Sequence, residues 1–350
     1  MKEVLLNNDV REIHIALVFS NAQEAQNAFD EAKKSLEEKN AQIITLEVSA
    51  GSFADDAIAQ FTSGAEYPIN RILPLDETSQ PILAGAHITA LVGTTPKFAR
   101  TPEGDCAVMY SDGAFEYCRT FGIVSNVDNS KPFEHTLDNL NRLENALKLF
   151  GFSYNDIART WFYNDDILSW YDDFNKARTQ FYKERKIFDG LLPASTGIGA
   201  PNKAGARIIS GAIALKKIGD GDVYEIESPL QCGAPNYGSS FSRAVEIKTP
   251  SSKRVMVSGT ASIEPEGATI NIDDIERQVD LTMRVIEGIL LSRGMTFDNT
   301  VRAIVYCLRP EYYAVFQKWM QKNTNIAHIP SFSIVCRHDL LFEVELESFV

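Results

Sequence analysis

Apolar and polar positions alternate along residues 12–20, EIHIALVFS, as they do in a strand. The stretch that follows, NAQEAQNAFDEAKKSLEEKN (21–40), repeats its apolar residues every three or four positions instead. Ala25, Phe29, Ala32 and Leu36 therefore share one face of a helix. Strand-like runs recur at 43–48, 87–92, 107–110 and 121–124. A longer helix is predicted where Leu140, Leu143, Leu147 and Phe150 fall at steps of three and four. A second, DDIERQVDLTMRVIEGILLSRG (273–294), has a stripe of Ile275, Val279, Ile286 and Ile289 or Leu290.

The pattern also repeats. GFSYNDIARTWFY (151–163) aligns without a gap to GMTFDNTVRAIVY (294–306), an offset of 294 − 151 = 143 residues. Each copy follows one amphipathic helix and precedes another. The first continues through a helix at 170–182, a Pro-Ala-Ser-Thr turn and a strand at 206–215. The second continues through a helix at 311–322, Ile329-Pro330 and a strand at 340–347. That order predicts a duplicated α/β sandwich with helices on one face of a mixed sheet. The stretch IGDGDVYEIESPLQCGAPNYGSS (218–240) reads as an interdomain connection or an ordered site loop, and Gln231 and Tyr237 favour the loop. Two units are expected, 1–217 and 218–350.

Composition narrows the function. A chain of 350 residues, 44% hydrophobic, can bury one large core or two ordinary ones. Its formal charge of −13 argues against nucleic acid and anionic membranes as partners, and an anionic substrate would require locally concentrated arginines. No run approaches 18 apolar residues and the start lacks a secretory pattern, so a cytoplasmic location is expected. Cys106, Cys118, Cys232, Cys307 and Cys336 form no CxxC pair, and the five histidines lack metal-type spacing, so neither a disulfide framework nor a metal is expected.

The last strand, LFEVELE (341–347), puts Phe342, Val344 and Leu346 on one face and Glu343, Glu345 and Glu347 on the other. A solvated acidic face is the plain reading. Glu343, however, lies seven residues after Cys336, across the turn Arg337-His338-Asp339. If the flanking strands pair as a hairpin, both residues reach one small ligand. Cys336 alone suits a small buried position, but its neighbour Arg337 must be paired or solvated. Arg159, Arg178 and Arg243 each suit a surface ion pair, yet as a set they could clamp a dicarboxylate. Ser195-Thr-Gly-Ile-Gly199 lacks the lysine and spacing of a phosphate loop. Ser258-Gly259-Thr260 reads either as a tight turn or as backbone N–H groups aimed into a site. Trp161, Trp170, Tyr171, Phe174 and Phe181 read as core.

These residues carry a family resemblance. VSGTAS (257–262), the long helix, VRAIVY (301–306) and the terminal LFEVELE resemble the reactive-intermediate deaminase (Rid/YjgF-like) fold over about 254–347, with a degenerate copy over about 107–217. More specifically, ARTWFY (158–163), FNKARTQF (174–181), PASTGIG (193–199) and VCRHDLLFE (335–343) are similar to the chorismatases. The resemblance implies an α/β (α+β) fold of two tandem Rid/YjgF-like, chorismate-mutase-like units. It implies cofactor-independent cleavage of the enolpyruvyl ether of chorismate, with release of pyruvate. Glu343 would be the catalytic acid, with its pKa raised in a water-poor pocket, and the arginines would hold the two carboxylates at the far ends of the ligand. Cys336 points to the 3-hydroxybenzoate-forming type. Ala244, if it is the small residue that separates the subtypes, points to the hydrolytic type, which yields a dihydroxycyclohexadiene carboxylate. Phe342 replaces a smaller aliphatic residue and is expected to alter packing behind the site. Monomer and trimer both remain open.

Two readings of other classes compete. A Rid-type imine hydrolase would need an arginine a few residues before the final hairpin, and none stands around Ser331-Phe-Ser-Ile. A noncatalytic ligand-binding protein would have no need of Glu343, Cys336 and the arginine set.

Overall fold

The computed structural model describes residues 1–76, 83–233 and 239–350. The chain builds three mixed sheets in sequence. The first comprises β1 (Lys2–Leu5), β2 (Arg11–Phe19), β3 (Gln42–Ser49), β4 (Ile69–Ile72) and β5 (Ala84–Val92), in the order β1-β2-β5-β3-β4, with helices α1 (Ala22–Glu38) and α2 (Asp55–Phe61). The second comprises β6 (Lys97–Arg100), β7 (Cys106–Ser111), β8 (Phe115–Val124), β9 (Ile157–Asn164), β10 (Ala194–Gly199) and β11 (Ile208–Lys217), in the order β6-β7-β8-β11-β9-β10, with α3 (Pro132–Lys148) and α4 (Ile167–Glu184). The third comprises β12 (Asp222–Ile226), β13 (Ala244–Lys248), β14 (Lys253–Ala261), β15 (Thr300–Cys307), β16 (Ile329–Phe332) and β17 (Phe342–Phe349), in the order β12-β13-β14-β17-β15-β16, with α5 (Ile275–Ser292) and α6 (Pro310–Asn323). Among the described residues no helix is long and apolar enough to cross a membrane.

The two units that echo in sequence are the second and third sheets, and the first repeats their topology with no matching echo. In each, a strand, a helix and a second strand are followed by another helix. The next strand then runs parallel to the second, and the last inserts antiparallel at the centre. The first two sheets fall within residues 1–217 and the third within 218–350. The predicted helical stripes face the sheets. Ala25, Phe29, Ala32 and Leu36 enter the core of the first unit, Leu140, Leu143 and Leu147 that of the second, and Val279, Ile286, Ile289 and Leu290 that of the third. Burying each large aliphatic side chain contributes about 1.5–3 kcal/mol.

The other faces of the three sheets meet in a central core that includes Leu91, Tyr110, Trp161, Ile213, Met256 and Tyr306. Charges are buried there as well. Glu12 of the first sheet accepts Arg119 of the second and Arg254 of the third, each at 2.9 Å. Arg302 bridges Glu47 of the first sheet and Glu345 of the third, and Glu345 also pairs with Arg159 of the second. Such pairs are costly to desolvate and more costly to break, so they tie the three sheets into one arrangement.

β17 alternates as the sequence predicts, with Phe342, Val344 and Leu346 packed in the helix-side core of the third unit. Its acidic face is not solvated: Glu343, Glu345 and Glu347 are 5%, 0% and 1% exposed and point between the sheets. The expected hairpin across residues 337–339 does not form. β16 runs parallel to β15, and β17 pairs with β14 and β15. Ile334 bridges Gly199 of the second sheet instead, through backbone bonds of 2.7 and 2.9 Å.

Candidate active site

Two seams between sheets are close-packed. A Cβ on Gly85 would strike the Ile329 side chain, and one on Gly122, whose φ is +76°, would strike the Ile69 carbonyl. At the seam between the second and third sheets, β10 lies against β14, and a pocket opens there with about 560 Å³ of empty space, its mouth included. Glu343 of β17 lines it with Gly259 and Ala261 of β14, Ser195 and Gly197 of β10, and Tyr171 and Arg178 of α4. Ser239, Phe241 and Arg243 come from the stretch before β13, and Cys336 and Arg337 from the segment anchored at Gly199.

Local structure aims these groups. The β14–β17 register shifts between Val257 and Thr260, and this bulge turns Gly259 toward the acid. Gly259 sits where a Cβ would collide with Glu343 Oε1 and crowd the Thr196 methyl group at 3.3 Å. Its N–H donates to Thr196 Oγ1 at 3.1 Å and so holds the two sheets together there. Ser195 N–H donates to Ser258 Oγ at 2.9 Å across the same seam. Helix α4 kinks at Trp170 (φ −148°, ψ 15°), and the next residue, Tyr171, reaches the pocket wall with its ring stacked on Phe174.

The electrostatics favour a neutral acid. Burial pushes the Glu343 carboxyl up, the Glu345 charge adds to the effect, and Arg159 and Arg243 oppose it; the pKa rises from 4.5 to about 8. Among the described residues no side chain hydrogen-bonds that carboxyl. Burial and the neighbouring Glu343 likewise raise the Cys336 thiol to about 12, against Arg337 and a hydrogen bond with Tyr171. At neutral pH the thiol is therefore a neutral wall group and not a thiolate nucleophile. Arg178 is 2% exposed and donates to Asn175 Oδ1 at 2.9 Å, and its Nε is buried without a partner. No carboxylate of the described residues forms an ion pair with it, so it presents an uncompensated cation to an anionic ligand.

Of the residues singled out from sequence, Glu343, Cys336, Arg178, Arg243, Arg337 and Gly259 converge on this pocket. Arg159 and Gln231 do not line it. Arg159 is taken up by Glu345 and Thr196 behind the wall, and Gln231 Nε2 donates to the Ala261 and Ile263 carbonyls at 3.0 and 2.8 Å, bracing the wall from outside. Tyr237 lies outside the described residues. Ala244 packs into the helix-side core; Gly197, Gly259 and Ala261 are the glycine and alanine residues facing the pocket. Gly259 serves through its lack of a side chain, since its N–H is already engaged. Arg243 acts on the acid itself, so the arginines are not all at the far end. Phe342 packs against Phe316 on the helix side, behind the acid. Sequence reading missed Tyr171, which it assigned to the core, and Ser195, which it placed in a family motif but did not single out for the site.

No family model matches the chain. A 3-hydroxybenzoate synthase of Streptomyces hygroscopicus is 28% identical over 223 residues, 55% of this chain and 64% of that protein. A chorismatase of Streptomyces rapamycinicus is 27% identical over 221 residues, with the same coverage. The matched stretch spans just under two thirds of the length of these two curated relatives. A chorismatase of Streptomyces hygroscopicus is 24% identical over 263 residues, 67% of this chain and 74% of that one. The crystal structure of a chorismatase superposes with a TM-score of 0.63 and 20% identity, covering 88% of this chain and 93% of the other. The chain shares that fold.

Proposed function

We propose that this chain is a chorismatase, which cleaves the enolpyruvyl ether of chorismate and releases pyruvate without a cofactor. The observation that carries the reading is the pairing of a carboxyl group raised to about 8 with a buried, carboxylate-free arginine in one pocket. The three relatives named for this chemistry support it. A diacid with an acid-labile vinyl ether needs both features: guanidinium groups to hold its carboxylates, and a protonated acid at neutral pH.

Arg178 and Arg243 bind the substrate carboxylates and present the ether to Glu343. Glu343 donates its proton to the terminal methylene carbon, and the side chain becomes an oxocarbenium ion. The neighbouring ring hydroxyl then displaces the side chain, which leaves as pyruvate. The hydroxyl proton returns to the Glu343 carboxylate, and the ring rearranges to 3-hydroxybenzoate. No water is consumed, so atoms and charge balance. The Cys336 thiol on the pocket wall favours this internal route over capture by water. The substrate's own repulsion of the Glu343 carboxylate further favours the protonated form.

The test is to supply chorismate to the purified chain, follow pyruvate and identify the second product by mass. The expected result is pyruvate well above the spontaneous background, with 3-hydroxybenzoate dominant. Glu343→Gln abolishes turnover and retains binding of a dicarboxylate analogue, whereas Cys336→Ala shifts the product ratio toward the dihydroxycyclohexadiene carboxylate. A wild-type chain releasing no more pyruvate than the buffer refutes the reading.

A further inference from the structure

Glu343 has a partner that the pocket does not expose. Glu345 lies two residues on, on the same inward face of β17, with its backbone about 6.7 Å away. It is fully buried and does not line the pocket. Its carboxylate accepts Arg159, the Thr196 hydroxyl, Trp161 Nε1 at 2.8 Å and Arg302 Nη2 at 2.9 Å. Thr196 Oγ1 is the node of this clamp, because it also accepts Arg159 Nη2 at 2.6 Å and the Gly259 N–H. The same Gly259 limits the space available to Glu343. The clamp on one carboxylate and the placement of the other are thus parts of one structure.

We propose that Glu345 is a positioning residue for the acid: a fixed negative charge, held by donors from the second and third sheets, that keeps the Glu343 carboxyl protonated until substrate arrives. The inference rests on the reading of Glu343 as proton donor. The charged and titratable groups facing Glu343 are Glu345 on its own strand, Arg159 on β9, Arg243 before β13, Tyr171 and Arg178 on α4, Cys336 and Arg337, and Tyr306 across the strand pair. Glu345 is the only carboxylate in that set. Burial alone would raise Glu345 too, but Arg302, Arg159 and the Thr196 hydroxyl outweigh it and lower Glu345 from its ordinary value. Two like groups on one strand face are thereby pushed apart, one ionised and one neutral. Glu345 also neutralises the guanidinium groups that would otherwise draw the proton off its neighbour.

The experiment is the pH profile of kcat/KM for pyruvate release by wild type and Glu345→Gln. The wild-type rate is expected to fall through a midpoint near pH 8, where the Glu343 carboxyl ionises. In Glu345→Gln the midpoint moves down by about one to two pH units, while the low-pH rate is largely kept. Glu345→Asp restores most of the shift. An equal fold-loss at every pH, with the midpoint unmoved, marks a merely structural role and overturns the inference. If Glu345→Gln does not fold, the triple variant Glu345→Gln/Arg302→Gln/Glu47→Gln, which removes Arg302 together with both carboxylates it bridges, leaves Arg159 without a counter-charge and lowers the midpoint in the same sense; an unmoved midpoint there overturns it equally. The infrared band of the protonated Glu343 carboxyl, assigned by its loss in Glu343→Gln, is titrated without substrate. It separates the two failures: absent turnover refutes the function, whereas a band titrating alike in wild type and variant refutes this inference alone.

Discussion

Replacing Glu343 with Gln removes a group that the fold holds against its own preference, and the effect on stability follows from linkage. The folded pKa is raised from 4.5 to about 8. The protonated acid's contribution is therefore fully present below pH 4.5 and is lost as pH rises through about 8. At 1.36 kcal/mol per unit, the whole shift bounds the loss at about 5 kcal/mol, and water entry and local relaxation reduce it to about 2 kcal/mol. A glutamine has nothing to lose over that range. Urea unfolding of both proteins at about pH 5 and about pH 9 isolates the effect, because every other titrating group is common to the two. The stability of Glu343→Gln relative to wild type is expected to improve by about 2 kcal/mol between the two conditions. A difference that stays constant, or moves the other way, refutes the claim that this carboxyl is held neutral in the pocket.

Two further outcomes are expected. Gly259→Ala places a methyl group against Glu343 Oε1 at a backbone φ that any residue tolerates, so turnover drops by about a hundredfold through displacement of the acid while the thermal midpoint changes little; undiminished turnover would show that the close approach has no catalytic meaning. Glu12→Gln leaves Arg119 and Arg254, from two different sheets, without their shared carboxylate, and costs about 3–5 kcal/mol in urea unfolding. A cost below about 1 kcal/mol would mean that water reaches this junction.

The sequence by itself determined the local elements and the chemistry they carry. Periodicity located α1, α3, α5 and the strand faces because a helix or a half-buried strand must repeat its apolar residues to bury one side. The echo between 151–163 and 294–306 found two units, and the Tyr163 and Tyr306 hydroxyls that end it lie 3.1 Å apart at the centre of the fold. The first sheet, alike in topology, has no such echo, because a shared backbone path can be specified by quite different side chains. Glu343, Cys336, Arg178 and Arg243 were legible as a group through residue type and motif.

Only the tertiary structure decided what those residues face. Arg159 and Arg178 look equivalent along the chain, yet one is neutralised by Glu345 and the other is left open to a ligand. The three glutamates of β17 read as a solvated face, but the packing of three sheets turns them inward, where burial raises Glu343 while Arg302 and Arg159 hold Glu345 down. Tyr171 reads as core until the kink at Trp170 swings it to the pocket. Each of these outcomes depends on distances between residues remote in sequence and on the solvent excluded between them, and a linear pattern encodes neither.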